Sequence, residues 1–389
     1  MPFRTPLDLP APDPDALTVS ERLKARIREE IRTAGGSIGF RRYMEMALYE
    51  PALGYYSGGA HKFGAAGDFV TAPEISPLFS RALARQCAEV LTHTGGDLLE
   101  FGAGSGRMAA DLLTALEAED ALPPRYLIME LSAGLREVQH QTLSDHCPQL
   151  LERVTWIDRL PETFTGMAIG NEVLDAMPVT CFVQRESALM ERRVCLNGDE
   201  PAWCEQPADA AIADCVNALG MILPQGYTSE FNPNLPGWMQ GIADMLTQGV
   251  ALLIDYGYPR REYYLPERHM GTLLCHYRHR AHEDPFLYPG LTDITASVDF
   301  TAVAEAGADA GLDLLGYTSQ AWFLLGCSLE QHYQAALNGD AAHDYALAQQ
   351  MKTLTLPGEM GERFQAIAFG KDYAPDLAGF ALNNQTYRL

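Results

Sequence analysis

Basic residues are scarce in this chain: 28 lysines and arginines stand against 51 aspartates and glutamates, and the formal net charge is −23. Such a surface repels polyanions, which argues against a nucleic-acid partner. The eight cysteines form no C-x-x-C pair and no zinc-type spacing, which is typical of reduced thiols in a cytoplasmic protein and predicts no metal site. No uncharged apolar run approaches the roughly 20 residues that span a bilayer, so we expect no membrane insertion.

The 389 residues are 47% hydrophobic, which is enough for one enlarged domain or two smaller ones. The first residues are rich in Pro and Asp, and they have neither the apolar core of a signal peptide nor the arginine-rich composition of a transit peptide. We predict a disordered tail over 1–17, a helical N-terminal extension over 18–95 with a substrate or cofactor loop at 53–76, a Rossmann-like core over 96–180 and 245–389, and an inserted β-rich cap over 181–244.

A short apolar strand from Asp97 runs into Glu100 and then into three glycines at alternate positions, Gly102, Gly104 and Gly106. An amphipathic helical pattern follows at once, so the glycines lie at a strand-to-helix turn, where open parallel sheets bind ligands. The dinucleotide fingerprint needs its third glycine at position 107, which is Arg. The observed spacing resembles the first motif of class I S-adenosylmethionine (SAM) methyltransferases. A dinucleotide site and a tight structural turn remain the alternatives.

Acidic or amide residues also end the strands predicted after the glycine loop. Glu130 follows the next strand at the distance where such folds place a carboxylate on the ribose hydroxyls. Asp158 could accept a hydrogen bond from an adenine amino group, and the next two strands end in Asn171-Glu172 and in Asp255. Because the carboxyl ends of parallel strands share one edge, we expect these groups to lie together. We predict that Asn171, Glu100 and the three glycines bind the cofactor along with Glu130 and Asp158.

Five blocks of sequence together resemble the MidA-like family of SAM-dependent methyltransferases. They are residues 67–76 (GDFVTAPEIS), 100–106 (EFGAGSG), 170–178 (GNEVLDAMP), 254–257 (IDYG) and 293–300 (DITASVDF). One member is a mitochondrial protein arginine methyltransferase needed for assembly of respiratory complex I. The resemblance covers nearly everything from Leu17 onward, and one departure from it is Ser297, where many members have His.

This resemblance implies an α/β class I methyltransferase fold with a seven-stranded sheet, a helical N-terminal extension and an α+β insertion. It also implies SAM as cofactor, S-adenosylhomocysteine (SAH) as product, and an arginine side chain on a protein as acceptor, with a respiratory-complex subunit as one possible partner. An assembly or chaperone-like binding protein that uses SAM structurally is the alternative.

An arginine acceptor carries a proton that must leave, so carboxylates are needed to hold the guanidinium and help deprotonate it. Glu172 is the first candidate, followed by Asp68 and Glu74 in the loop at 53–76. Asp255 could orient the substrate or could hydrogen-bond its own turn. The group His276, His279 and His282 has interleaved arginines and no matching carboxylates, which favours a basic surface loop over a metal site.

Overall fold

The computed structural model describes residues 9–58, 71–186 and 188–389. The predicted catalytic residue Asp68 and part of the predicted loop 53–76 lie outside them. The described chain divides into two compact units. Unit 1 contains residues 9–58, Asp175–Asn234 and Arg260–Ser297, and unit 2 contains residues 71–174, Leu235–Pro259 and Val298–Leu389.

Fifteen α-helices occur in the described residues, and three short 3₁₀ helices lie at Pro148–Arg153, Pro266–Arg268 and Thr386–Arg388. The α-helices are α1 Pro14–Thr33, α2 Phe40–Tyr49, α3 Ala72–Ile75, α4 Pro77–Thr94, α5 Arg107–Ala118, α6 Ala133–His146, α7 Ala210–Ala218, α8 Leu235–Met245, α9 Arg260–Tyr263, α10 Phe300–Asp309, α11 Gln320–Gly326, α12 Leu329–Ala336, α13 Ala341–Thr355, α14 Met360–Arg363 and α15 Ala378–Ala381.

Sixteen β-strands are formed within the same described ranges. They are β1 Ser37–Gly39, β2 Asp97–Phe101, β3 Tyr126–Met129, β4 Val154–Ile157, β5 Phe164–Asn171, β6 Thr180–Gln184, β7 Leu189–Asn197, β8 Glu200–Pro207, β9 Thr228–Phe231, β10 Leu246–Tyr258, β11 Leu274–Tyr277, β12 Arg280–His282, β13 Asp293–Thr295, β14 Val298–Asp299, β15 Asp313–Ser319 and β16 Phe364–Lys371.

Unit 1 is built on two antiparallel sheets. In the larger sheet β7 pairs with β1, β6 and β8, and β6 also pairs with β9. The smaller sheet has the order β12-β11-β13. The apolar faces of α1 and α2 supply much of the core of this unit, together with residues of β6, β7, β11 and β13. The first helices of the chain are therefore part of a mixed α and β unit.

Unit 2 is an α/β unit with a mixed eight-stranded sheet. Its main path is β15-β16-β10-β5-β2-β3-β4, and the two-residue strand β14 adds to β10. Strands β10, β5, β2, β3 and β4 are parallel, while β16 runs antiparallel to both of its neighbours. The predicted α/β fold is confirmed. The sheet has one strand more than the predicted seven, because Val298 and Asp299 pair with the end of β10.

The central strands of unit 2 are short apolar runs because both of their faces are covered. Leu98, Leu99, Leu252 and Leu253 are all at most 1% exposed, although they alternate between the two faces of the sheet. Helices α4 and α5 contribute to the core on one face, where Tyr126 of β3 is also buried. This packing leaves the carboxyl ends of the parallel strands as the edge where polar groups gather.

The start of α1 differs from the predicted disordered tail over 1–17. Asp13 caps the helix by accepting a hydrogen bond from the Ala16 amide at 2.9 Å, and Pro14 occupies the first helical position. Both are strong start signals, so the helix begins several residues before Leu17. The predicted cap over 181–244 spans β6 to β9 of unit 1 and most of α8 in unit 2, and its role as a cap stays a prediction.

Candidate functional site

A glycine-rich loop joins β2 to α5 in unit 2. Gly102, Gly104 and Gly106 all have left-handed backbone conformations, with φ of 64°, 53° and 83°. Glycine adopts such angles without the penalty that a Cβ brings. The alternate glycines therefore let the chain turn sharply from the sheet into α5, and at these three positions the loop carries no side chain of its own.

Two of the glycines are needed for different reasons. A Cβ on Gly106 would lie 2.9 Å from the Cα of Gln139, so this glycine lets α6 approach the loop. Among the described residues, a Cβ on Gly102 would meet only Val173 Cγ2, at 3.8 Å. These residues therefore leave the space beside Gly102 open to a ligand that contacts the backbone, whereas Gln139 fills the space beside Gly106.

Glu130 follows β3 and is 8% exposed. Its carboxylate accepts hydrogen bonds from the Ser132 amide at 2.8 Å and from Gln139 Nε2 at 3.0 Å. Burial raises the pKa of Glu130, and these donors oppose that rise. The arrangement holds a carboxylate at the end of β3, beside the strand that leads into the glycine loop.

Arg136, one turn before Gln139 on α6, fixes the neighbouring backbone. It donates two hydrogen bonds to the Glu130 carbonyl at 2.8 and 2.6 Å and one to the Ile157 carbonyl at 3.1 Å. The ends of β3 and β4 are thereby tied together. Asp158 follows Ile157 directly and is exposed, and its predicted contact with an adenine amino group stays a prediction.

Glu100 lies beneath the glycine loop and is 1% exposed. Its Oε2 accepts a hydrogen bond from the Tyr126 hydroxyl at 2.6 Å. Burial raises the pKa of Glu100 to about 7, the tyrosine hydrogen bond opposes this, and the charge of Glu130 adds to it. The side chain therefore faces the covered side of the sheet, where Tyr126 is its hydrogen-bond partner. Its predicted contact with the cofactor stays a prediction.

Asn171 ends β5, beside the end of β2, and Glu172 follows it. The Asn171 side chain donates to Glu172 Oε1 at 3.2 Å, while its Oδ1 is buried and has no hydrogen-bond partner among the described residues. Glu172 has φ of 54°, a left-handed conformation that is uncommon for a residue with a Cβ. Strained backbone of this kind persists where neighbouring groups enforce it, and it is frequent at functional sites.

Asp255, in the neighbouring strand β10, holds the backbone after Glu172 in place. Its Oδ2 accepts hydrogen bonds from the amides of Val173 and Leu174 at 3.1 and 2.8 Å, and its Oδ1 accepts from the Tyr256 amide at 2.8 Å. The Glu172 amide in turn donates to the Ile254 carbonyl at 2.8 Å. Of the two alternatives for Asp255, these contacts favour hydrogen bonding to a turn, and the predicted catalytic role stays a prediction.

Glu74, in α3, contacts the glycine loop through a residue that the sequence interpretation missed. The Ser105 hydroxyl donates a short hydrogen bond to the Glu74 carboxylate, and Ser105 Oγ also accepts from the Arg107 amide at 3.3 Å. Ser105 lies within the glycine pattern, and nothing in its spacing signals a partner 31 residues earlier. Gln139 was missed as well, because a single polar residue in a helical pattern reads as a surface position.

Two further results concern the described residues only. They hold no group of three or more His, Cys, Asp and Glu side chains that could bind a metal ion. None of their helices combines the length and the apolar character that crossing a membrane requires.

This combination of fold and site defines a class of protein. A left-handed glycine loop between a parallel strand and a helix, with a carboxylate at the end of the next strand, is the arrangement with which open α/β sheets hold a nucleoside cofactor. The open space at Gly102 and the unpaired Asn171 Oδ1 fit such a ligand, because each offers a contact that the described protein groups leave unused.

Comparison with known proteins specifies the family. Residues 82–318 match the family described as "Putative S-adenosyl-L-methionine-dependent methyltransferase", and the chain belongs to this family. A crystal structure of a Burkholderia thailandensis protein bound to SAH is 46% identical, with a TM-score of 0.95, over 98% of this chain and 100% of that chain.

Curated eukaryotic relatives match over a similar extent. The zebrafish (Danio rerio) protein named "Protein arginine methyltransferase NDUFAF7, mitochondrial" is 27% identical over 85% of this chain and 83% of its own length. Its homologue from Caenorhabditis elegans is 28% identical over 90% of this chain and 86% of its own length. The predicted MidA-like family, the methyltransferase activity and the SAM cofactor are confirmed.

The cytoplasmic location predicted from the sequence is wrong by the same comparison. The curated relatives are named as mitochondrial proteins. The prediction depended on dispersed cysteines and on an N-terminal segment without a transit-peptide pattern. Reduced thiols are compatible with more than one compartment, so that argument could not distinguish between them.

Proposed function

We propose that this SAM-dependent methyltransferase transfers a methyl group to an arginine side chain of a protein partner, with Glu172 as the carboxylate that meets the guanidinium. The observation that carries the proposal is the left-handed turn at Glu172, at the end of β5 beside the glycine loop. The names of the curated relatives support arginine as the acceptor. A respiratory-complex subunit remains a candidate partner.

The cofactor would be held by residues at the carboxyl edge of the sheet of unit 2. Glu130 would accept hydrogen bonds from the ribose hydroxyls, the backbone at Gly102 and Gly104 would lie against the ligand, and Asn171 Oδ1 would accept from it. Glu100 would support the loop from below, and Asp158 would meet the adenine. When bound, SAM supplies an electrophilic methyl group on a sulfonium.

We also infer that the path β4-β3-β2-β5-β10-β16-β15 is the seven-stranded class I arrangement.

An arginine acceptor requires a particular contribution from the protein. The guanidinium is protonated, with a pKa above about 12, so its nitrogen has no lone pair ready for attack. A carboxylate that accepts two of its N–H groups fixes its direction and favours loss of a proton. Glu172 would do this, with Asp68 and Glu74 as additional acids and Asp255 as the residue that fixes the turn. Residues 53–76 and 181–244 would help to bind the protein partner.

The experiment uses the purified full chain and a lysate of cells that lack this protein. Labelled SAM is added, the labelled protein is isolated, and mass spectrometry identifies the modified residue. Glu172→Gln is compared with Glu162→Gln, which makes the same change at an exposed position just before β5. We expect Glu172→Gln to lower methyl transfer by about 10²-fold or more while SAH affinity stays within about threefold, and Glu162→Gln to behave as wild type.

Three results would contradict the proposal in different ways. Absence of SAH binding by the wild-type chain would remove the methyltransferase assignment. A label on a residue other than arginine would remove the acceptor. Binding of SAH with no transfer to any lysate protein would favour the alternative of a binding protein that uses SAM structurally.

A further inference from the structure

Gln139 is fully buried in the middle of α6 and makes hydrogen bonds to three other segments. Its Nε2 donates to the Gly104 carbonyl at 3.1 Å and to Glu130 Oε2 at 3.0 Å, and its Oε1 accepts from Trp156 Nε1 at 2.8 Å. Buried polar side chains are costly unless they are paired, so a buried amide with three partners has a specific arrangement to maintain.

The partners determine which way the amide points. An indole N–H can only donate, so Gln139 Oε1 must face Trp156. A carbonyl and an ionised carboxylate can only accept, so the NH₂ group must face Gly104 and Glu130. Each contact enforces the other two, and rotating the amide would place like groups against one another at all three.

Gln139 therefore connects the loop after β2, the acid after β3 and an aromatic residue of β4. The close approach of α6 at Gly106, where a Cβ would lie 2.9 Å from the Gln139 Cα, makes these bonds possible. Arg136 on the same helix fixes the carbonyls of Glu130 and Ile157. Helix α6 thus holds the two groups that a nucleoside would contact, the Glu130 carboxylate and the Gly104 backbone.

We propose that Gln139 is a positioning residue that sets the Glu130 carboxylate and the Gly104 backbone at the separation that SAM and SAH require. The inference rests on the proposed cofactor-binding role of Glu130 and the glycine loop. Gln139 acts through these two groups and does not meet the reacting atoms. Its loss should therefore weaken cofactor binding and leave the rate at saturating SAM nearly unchanged.

Calorimetry with SAH on the purified full chain tests this directly. Gln139→Met keeps the length of the side chain and removes all three hydrogen bonds. Gln141→Met is the matched control, because Gln141 is exposed on the same helix and donates a hydrogen bond to Asp145, which is also exposed, at 2.8 Å. We expect the dissociation constant for SAH to rise about 10- to 100-fold in Gln139→Met and to stay within about twofold in Gln141→Met. KM for SAM should rise by a similar factor while kcat stays within about threefold.

Gln139→Glu provides a second readout that a purely structural role would not change. It keeps an acceptor for Trp156 but places a carboxyl group against Glu130, so the variant can donate to Glu130 only when protonated. The charged or titratable groups nearby include, among the described residues, Glu100 and Tyr126 below Glu130, Arg136 on α6, and His140, whose ring lies 5.7 Å from that of Trp156. We expect SAH affinity of this variant to rise about tenfold from pH 8 to pH 6. Wild-type affinity should not rise, because protonation of Glu130 removes an acceptor.

The outcomes separate this inference from the proposed function. If the wild-type chain does not bind SAH, the proposed function fails. If the wild type binds SAH and Gln139→Met binds it equally well, the proposed function stands and the role of Gln139 is wrong. If Gln139→Met does not fold, the Gln139→Glu variant decides. The inference would be overturned if the SAH affinity of Gln139→Glu depended on pH in the same way as that of the wild type.

Discussion

The backbone amide of Leu174 donates a hydrogen bond to Asp255 Oδ2 at 2.8 Å, and this bond joins the turn after β5 to the end of β10. The same oxygen accepts from Val173, and the other oxygen accepts from Tyr256. Asp255 is 1% exposed, so these bonds form away from water, where charge-assisted hydrogen bonds are strong. They enforce the left-handed backbone of Glu172 that lies just before them.

The first prediction follows from this turn. Asp255→Asn keeps the shape of the side chain but replaces one acceptor oxygen with an NH₂ group that faces backbone N–H donors. We expect the free energy of unfolding to fall by about 1–3 kcal/mol, because at least one buried donor loses its partner. Methyl transfer should fall by about tenfold or more, while SAH affinity changes by less than about threefold. Urea unfolding, enzyme assays and calorimetry measure the three quantities.

Asp244→Asn is the control for that substitution. Asp244 is exposed on α8 and accepts a hydrogen bond from Gln240 at 2.7 Å, so the chemical change is the same at a position where water can replace the partner. Neither stability nor transfer should change measurably. If Asp255→Asn is as active as Asp244→Asn, the turn does not depend on the Asp255 carboxylate.

A second prediction concerns the approach of α6 to the glycine loop. Gly106 and Gly311 have nearly the same backbone angle, with φ of 83° and 82°, but a Cβ would meet Gln139 only at Gly106. Each change to Ala should cost about 1 kcal/mol for the left-handed backbone. Gly106→Ala should cost about 1–3 kcal/mol more because the helix must move away. Urea unfolding of the two variants isolates that difference.

The same two variants, Gly106→Ala and Gly311→Ala, are also compared in cofactor binding. Moving α6 displaces the bonds that Gln139 makes to Gly104 and Glu130. Calorimetry should therefore show SAH affinity reduced more than about tenfold in Gly106→Ala and unchanged in Gly311→Ala. Equal affinities in the two variants would mean that the position of α6 is unimportant for binding.

The third prediction is a dependence of stability on pH that comes from Glu100. Burial raises its pKa to about 7, against about 4.3 in the unfolded chain. The folded state therefore holds the Glu100 proton more tightly than the unfolded state does. The stability that Glu100 contributes is complete below its unfolded-state pKa and is lost as the pH rises through about 7. Between pH 5 and pH 8 the free energy of unfolding should fall by about 3 kcal/mol more in the wild type than in Glu100→Gln.

Urea unfolding of both proteins at several pH values measures this difference. Glu100→Gln keeps an acceptor for the Tyr126 hydroxyl and removes the ionisable group, so the difference between the two proteins reports the titration of Glu100 together with its interaction with Glu130. Parallel curves of stability against pH would show that Glu100 does not titrate in this window.

Much of unit 2 could be predicted from the sequence because its signals are local. Short apolar runs ended by Glu100, Glu130 and Asp255 mark buried parallel strands, and the glycine spacing marks the turn into α5. The family blocks then specified the cofactor. The strand β14 was missed, because two residues that pair with the end of β10 have no pattern of their own.

The contacts within the site depend on residues that are distant in the sequence. Gln139 lies 35 residues from Gly104, and Asp255 lies 81 residues from Leu174. Nothing in the sequence near either residue indicates these partners, because tertiary packing alone brings the groups together. The start of α1 is different, because Asp13 and Pro14 are local start signals that the prediction of a tail over 1–17 did not take into account.

The last prediction separates two roles for Glu74, which the sequence identified as a catalytic candidate and whose carboxylate accepts a hydrogen bond from Ser105. If Glu74 acts by holding the glycine loop, Glu74→Ala and Ser105→Ala break the same bond, and their effects on SAH affinity will not add. We expect each single variant to bind SAH about 3- to 10-fold more weakly, and the double variant to bind no more weakly than the worse of the two. The rate at saturating SAM should then stay within about threefold in all three. The contrary result would be a rate at saturating SAM that falls tenfold or more on Glu74→Ala, by the same factor whether residue 105 is Ser or Ala. Such a loss would not depend on the bond to the loop, and it would mean that Glu74 acts on the acceptor.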